Sequence, residues 1–146
     1  MTDAAPGPGF EVLARGVAAE FGYRLLTVMA FNAARQTNRR AWSSQPERWP
    51  VGGEKPVAPG SSLHRTVLVE GKIRHLEGRQ AIEAAFADHA LIVAAGCESA
   101  LNVPMRWKGQ VVGALNLLHR AGHYAGADFA RLQSIADANA HLLAGG

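Results

Sequence analysis

The stretch from Ser99 to His119 leaves this chain few folds to choose from. Two apolar, β-leaning runs flank Lys108-Gly109, which is the signal of an antiparallel hairpin. A two-residue turn would set Met105 opposite Val112 and leave both faces mixed. A three-residue loop, Trp107-Lys108-Gly109 with Gly109 left-handed in a bulge, pairs Arg106 with Gln110 instead. One face then carries Leu101, Val103, Met105, Val111, Gly113, Leu115 and Leu117, all apolar. A one-residue slip would turn every one of these outward, so the three-residue loop is the expected register.

The opposite face holds Ala100, Asn102, Pro104, Arg106, Gln110, Val112, Ala114, Asn116 and Leu118. Asn102 and Asn116 lie there among small and aliphatic neighbours. A buried amide without partners costs roughly 1–3 kcal/mol. Two arrangements avoid that cost: bonds to the backbone of a covering loop, or a wet hollow with an apolar wall and a few placed polar groups.

The rest of the chain supplies layers for this hairpin. Phe10, Leu13, Val17 and Phe21 recur at helical spacing, and Gly22 stops that helix. Tyr23 to Asn32 is nearly continuous in apolar character, so it reads as a central strand covered on both faces. Gln36-Thr37-Asn38 reads as a turn and Arg39 to Gln45 as the second strand of a first hairpin. From Trp42 to Pro56 no period survives, and the proline and glycine content predicts a loop. Its Trp42 and Trp49 argue against simple disorder; they suit a lid over a pocket, or anchors that pin the loop to the body. Ser61 to Glu70 reads as a short helix, Lys72 to Glu77 as an edge strand, and Arg79 to Phe86 as another helix. Asp88 is placed to cap a helix running to Ala94, closed by Gly96. A last helix opens near Asp128 and carries Phe129, Leu132, Ile135, Ala136, Asn139, Leu142 and Leu143 on one stripe. That stripe can pack on the sheet, and its flanks could pair with a second subunit in a homodimer.

At 146 residues the chain is expected to be one domain over residues 10–146 behind a flexible tail of residues 1–9. The tail has neither the basic start nor the apolar middle of a signal peptide, and no run reaches the ~18 apolar residues of a membrane helix. The expectation is a cytoplasmic protein with no membrane contact. Its net charge of +3 includes Arg24, Arg35, Arg39 and Arg40 in a segment free of acidic residues. These could draw an anion, or guard a strand edge. No aromatic-interleaved basic stripe or helix-turn-helix pattern supports nucleic acid. One cysteine, Cys97, excludes an internal disulfide and a thiol-rich metal site.

Asn102-Val-Pro-Met105, a short turn, then Val112-Gly-Ala-Leu-Asn-Leu117 resembles the last hairpin of GAF domains. The order of elements follows that family from about Phe10 to Leu143. The resemblance implies an α+β fold: a central antiparallel sheet, terminal helices on one face, and a loop-covered small-molecule pocket on the other. More narrowly, the chain is similar to stand-alone bacterial GAF proteins of unassigned activity. The matching residues include Arg40-Ala-Trp-Ser-Ser44, Trp49-Pro-Val-Gly-Gly-Glu-Lys55, Phe86-Ala-Asp-His89, Gly113-Ala-Leu-Asn-Leu-Leu-His119 and Ala121-Gly-His-Tyr124. Polar motifs at these places favour a shared ligand site over a shared skeleton.

One GAF family reduces free methionine sulfoxide with several pocket cysteines. Here Val93 occupies the place of the catalytic cysteine, Cys97 lies four residues closer to the Val-Pro motif, and no second thiol exists to resolve a disulfide. The six histidines give no metal set, since Gly122 separates His119 from His123 on any shared helical face. No catalytic constellation and no cofactor site emerges. The expected function is a non-catalytic small-molecule sensor acting in trans on a partner, with Trp42, Ser44, Trp49, Lys55, Asp88, Asn102 and Asn116 lining or framing the pocket. Lys55 is expected to pair with a ligand anion, or with Asp88 when the pocket is empty. The alternatives are the reductase-like enzyme and a ligand-free dimerisation module with a filled core.

Overall fold

A computed structural model describes residues 8–144. Six antiparallel strands form one sheet in the order β3-β2-β1-β6-β5-β4. In chain order they are β1 (Leu25–Asn32), β2 (Thr37–Ser43), β3 (Gly52–Pro56), β4 (Arg74–Glu77), β5 (Ser99–Trp107) and β6 (Gln110–His119). Helices α1 (Gly9–Glu20) and α4 (Phe129–Ala138), with the short α5 (His141–Ala144), lie on one face. A wide π-type turn at Leu63–Val69 and helices α2 (Arg79–Ala85) and α3 (His89–Ala94) cover the other. The expected tail lies outside the described residues, save for Pro8 at the N-cap of α1 and Gly9 in its first turn. No described helix is long and apolar enough to cross a membrane.

The main core fills the space between the sheet and the terminal helices. Leu26, Val28, Leu101, Val103, Met105, Leu115 and Leu117 point into it and meet Phe10, Leu13, Val17, Leu132 and Ala136. Burying side chains of this size contributes about 1.5–3 kcal/mol each relative to exposure, so this face outweighs any single polar preference. Tyr124 locks the joint between β6 and α1 by donating its hydroxyl to the Gly22 carbonyl at 2.9 Å.

The β5–β6 hairpin corrects the expected register. Lys108 (φ 51) and Gly109 (φ 80) form a two-residue turn, with Trp107 opposite Gln110. Two left-handed residues match the right-handed twist of the strands better than a longer loop does. A bulge follows, for Arg106 faces Val111 while Met105 faces Gly113, leaving Val112 as the extra residue. The bulge restores the wholly apolar face that a plain two-residue turn would have destroyed. Val111 and Val112 exchange faces, and Gln110 moves with them to the side of Trp107; Val111 joins the cluster with Val67, Leu68 and Ala114, and Val112 packs on the main core. The body pairs Asn102 directly with Asn116.

The first hairpin also differs. Its turn is Ala33–Gln36, and β2 begins at Thr37. The aperiodic stretch contains β3, a short edge strand whose glycines and proline hide any alternation. Opposite Val28–Met29 the β2 register shifts: Met29 pairs with Arg40 and Val28 with Trp42, so Ala41 is the extra residue. Ala41 and Trp42 consequently turn toward the helices and Arg40 toward the other face.

Candidate functional site

Across the face opposite the terminal helices runs a row of polar side chains, one from each of five neighbouring strands. Cross-strand pairing aligns Ser43 with Thr27, Thr27 with Asn116, Asn116 with Asn102, and Asn102 with Arg74. Four of the five are joined by side-chain hydrogen bonds. Arg74 Nε donates to Asn102 Oδ1 at 2.9 Å, Asn102 Nδ2 to Asn116 Oδ1 at 2.8 Å, and Asn116 Nδ2 to Thr27 Oγ1 at 3.2 Å. An Nη of Arg74 donates to Ser62 Oγ. The amides are thus satisfied by each other and by side chains rather than by a covering backbone.

Above this row lies a hollow of ≈ 170 Å³, partly open to solvent. Its walls are Leu25, Met29, Leu63, Phe86, Ile92, Ala114 and Leu118. Thr27, Asn102 and Asn116 form its floor, Arg74 one side, and Asn38, Arg40, Trp49 and Asp88 the rest of its polar boundary. Trp49 is buried and donates its indole N–H to Asp88 Oδ2 at 2.9 Å, tying the β2–β3 loop to the start of α3. Asp88 stands at the N-cap position yet makes no capping bond. Its carboxylate bonds the tryptophan instead, which corrects its expected role.

Two arginines give the hollow its charge. Arg74 is nearly buried, and no carboxylate among the described residues lies within 4.0 Å of it. Its guanidinium stacks over the Phe86 ring at 5.9 Å. Burial pushes its pKa down, though a guanidinium stays charged at neutral pH. Arg40 donates to the Pro50 carbonyl at 3.1 Å; burial lowers its pKa while the nearby Asp88 raises it. Arg40 Nε and Asn38 Oδ1 are both buried and make no hydrogen bond among the described residues.

The hollow gathers Trp49, Asp88, Asn102 and Asn116 from the residues expected at the site. Trp42 is not among its walls, because the β2 bulge sends it into the helix-side core. Ser44 serves the frame, its Oγ accepting from the Leu26 N–H at 2.9 Å and so fixing β2 to β1. Lys55 is exposed on β3 opposite Asn38 and forms no ion pair with Asp88; Arg40 holds the position near Asp88 instead. Sequence reasoning missed Arg40, Arg74, Asn38 and Thr27. Arg74 could have been found from the register of β4 against β5, since Arg74 faces the same side as Asn102.

Cys97 is fully buried among Ile92, Ala100 and Leu118, and burial raises its thiol pKa although Arg24 opposes the shift. A protonated, sealed thiol is a poor nucleophile. In the folded protein its reaction with a disulfide reagent is expected to be slower than that of free cysteine by roughly two orders of magnitude, as exchange must await local opening. A rate matching free cysteine would instead support redox chemistry. Among the described residues no three His, Cys, Asp or Glu side chains cluster as a metal site.

The family model for the GAF domain matches residues 10–141. The chain belongs to the GAF domain family. GAF domains are small-molecule sensing and signalling modules. The fold of this GAF domain is similar to that of a GAF domain/HD domain protein from Geobacter sulfurreducens, with TM-score 0.72 and 19% identity over 94% of this chain and 90% of the other. It is also similar to the GAF domain of a two-component sensor histidine kinase from Bacillus halodurans, with TM-score 0.73 and 13% identity over 94% and 92% of the two chains. A type II free methionine-R-sulfoxide reductase from Thermoplasma acidophilum aligns with TM-score 0.62 and 16% identity over 94% and 95%. At such identities the likeness is one of fold alone. No curated protein matches the sequence.

Proposed function

We propose that this GAF domain is a non-catalytic sensor that takes one small organic molecule into the hollow above the Asn102–Asn116 pair, its loaded state being read by a partner. The observation that carries this reading is a pair of buried polar atoms without hydrogen-bond partners among the described residues, Arg40 Nε and Asn38 Oδ1, on two residues that border a hollow with both apolar and polar walls. A packed core saturates such atoms, because each one left unpaired costs about 1–3 kcal/mol. A cavity of ≈ 170 Å³ is close to the ~150 Å³ hole that accepts benzene, so the occupant has about six to ten non-hydrogen atoms. A nucleotide does not fit. Trp49, Asp88, Asn102, Asn116, Asn38, Arg40 and Arg74 are the proposed contacts, and Thr27 and Ser44 the frame.

Native mass spectrometry of freshly purified protein is expected to show a small adduct, lost on mild activation. Asn116→Leu, which pushes an aliphatic side chain toward the hollow, is expected to abolish it. If the protein carries nothing, and Asn116→Leu raises the melting temperature, the interaction-module reading replaces this one.

A further inference from the structure

The two ends of the hollow differ in chemistry, and the difference restricts what fits between them. At the β4 end stands Arg74. It uses Nε–H on Asn102 and one terminal N–H on Ser62, which leaves three of its five N–H groups without a partner among the described residues. Its charge has no counter-ion among the described residues, and isolated buried cations are costly unless something anionic comes to them. The free outer edge of a guanidinium matches the two oxygens of a carboxylate. At the β2 end the orphaned atoms are of opposite kinds: Arg40 Nε donates and Asn38 Oδ1 accepts. A hydroxyl, which both donates and accepts, is complementary in kind to this pair. Between the ends the walls are hydrocarbon, from Leu25, Met29, Ile92 and Leu118, so the middle of the ligand is apolar.

Resting on the sensor reading above, we infer that the ligand is a compact monocarboxylate. Its carboxylate sits on Arg74, its hydrocarbon body crosses the Asn102–Asn116 floor, and a hydroxyl or equivalent donor–acceptor group reaches Asn38 and Arg40. Inorganic oxyanions lack the body that the apolar walls require. Neutral amides of the same shape lack the charge that Arg74 requires. Asp88, beside Arg40, is held by the Trp49 indole and disfavours a second carboxylate at that end.

The test uses isovalerate, benzoate and 4-hydroxybenzoate, each against its neutral amide and against inorganic phosphate, by thermal shift and titration calorimetry. A carboxylate at ten times its Kd is expected to raise the melting temperature by roughly 3–5 °C, with 4-hydroxybenzoate binding tighter than benzoate. The amides and phosphate are expected to give no shift. Arg74→Gln, which keeps a donor for Asn102, is expected to weaken carboxylate binding at least tenfold while the unliganded variant still folds with one cooperative unfolding transition. Amides that bind as well as the acids, or an Arg74→Gln variant that keeps carboxylate binding, would overturn the ligand class. If no acid binds but native mass spectrometry finds another adduct that Asn116→Leu removes, the carboxylate inference fails and the sensor stands. If the purified protein carries no adduct and no probe binds, both fail.

Discussion

Gly113→Ala is expected to destabilise the protein by about 3 kcal/mol, lowering the melting temperature by roughly 6–12 °C. A Cβ at this position would stand 2.1 Å from the Met29 carbonyl oxygen and 2.4 Å from a methyl of Leu143. The first neighbour is backbone and cannot rotate away. Met29 and Ala30 belong to the β1–β6 ladder, and Ala30 pairs with Gly113 itself. The added methyl must therefore push the two central strands apart just beyond the Val112 bulge. Gly16 is the control: it lies in the exposed part of α1, and a Cβ there meets nothing within 4 Å. Gly16→Ala should stabilise by about 0.5–1 kcal/mol, because alanine loses less backbone entropy in a helix. Denaturant unfolding of both variants checks the pair, and a Gly113→Ala protein as stable as the parent would contradict the close approach.

Asn116→Leu carries the second large effect. The leucine leaves Asn102 Nδ2 without its 2.8 Å acceptor and removes the donor to Thr27. An orphaned buried donor costs about 1–3 kcal/mol, and the apolar gain from leucine offsets only part of it on a floor that faces a hollow. The expected net loss is about 2 kcal/mol. Asn102→Leu should cost a similar amount, since it strips Arg74 Nε of its acceptor as well. The double variant has no half-bonded amide, so its loss should fall short of the sum by about 1 kcal/mol or more. Additive losses in the double-mutant cycle would show that the amides do not hold one another.

The skeleton was legible because periodicity reports burial. The helix from Phe10, the continuous strand from Leu25 and the apolar face of Leu101, Val103, Met105, Leu115 and Leu117 each state which side faces inward. The two amides stood out for the same reason, as polar residues on strands whose neighbours demand burial. What stayed hidden was where the chain departs from its period. One extra residue at Ala41 puts Trp42 on the opposite face from Arg40, and no local property of Arg40-Ala41-Trp42 reports it. Another at Val112 corrects a turn that pattern alone would reject. Arg74 was passed over because a charged residue on an edge strand ordinarily means a solvated edge. The segment that covers this edge, Leu63–Val69 with Ser62 before it, is set by tertiary packing rather than by local sequence.

The row beneath the hollow has a direction. A guanidinium can only give hydrogens, so Asn102 must turn its oxygen to Arg74 and its nitrogen to Asn116, which in turn gives its own hydrogen to Thr27. The orientation of two amides in the middle of the sheet is therefore dictated from its edge, like tiles laid from one wall. A side chain at position 74 that only accepts, as in Arg74→Glu at neutral pH, should flip both amides and make Thr27 the giver. Exchanged chemical environments for the two side-chain NH2 groups in NMR spectra would register the reversal, and unchanged ones would show that the order is imposed from elsewhere.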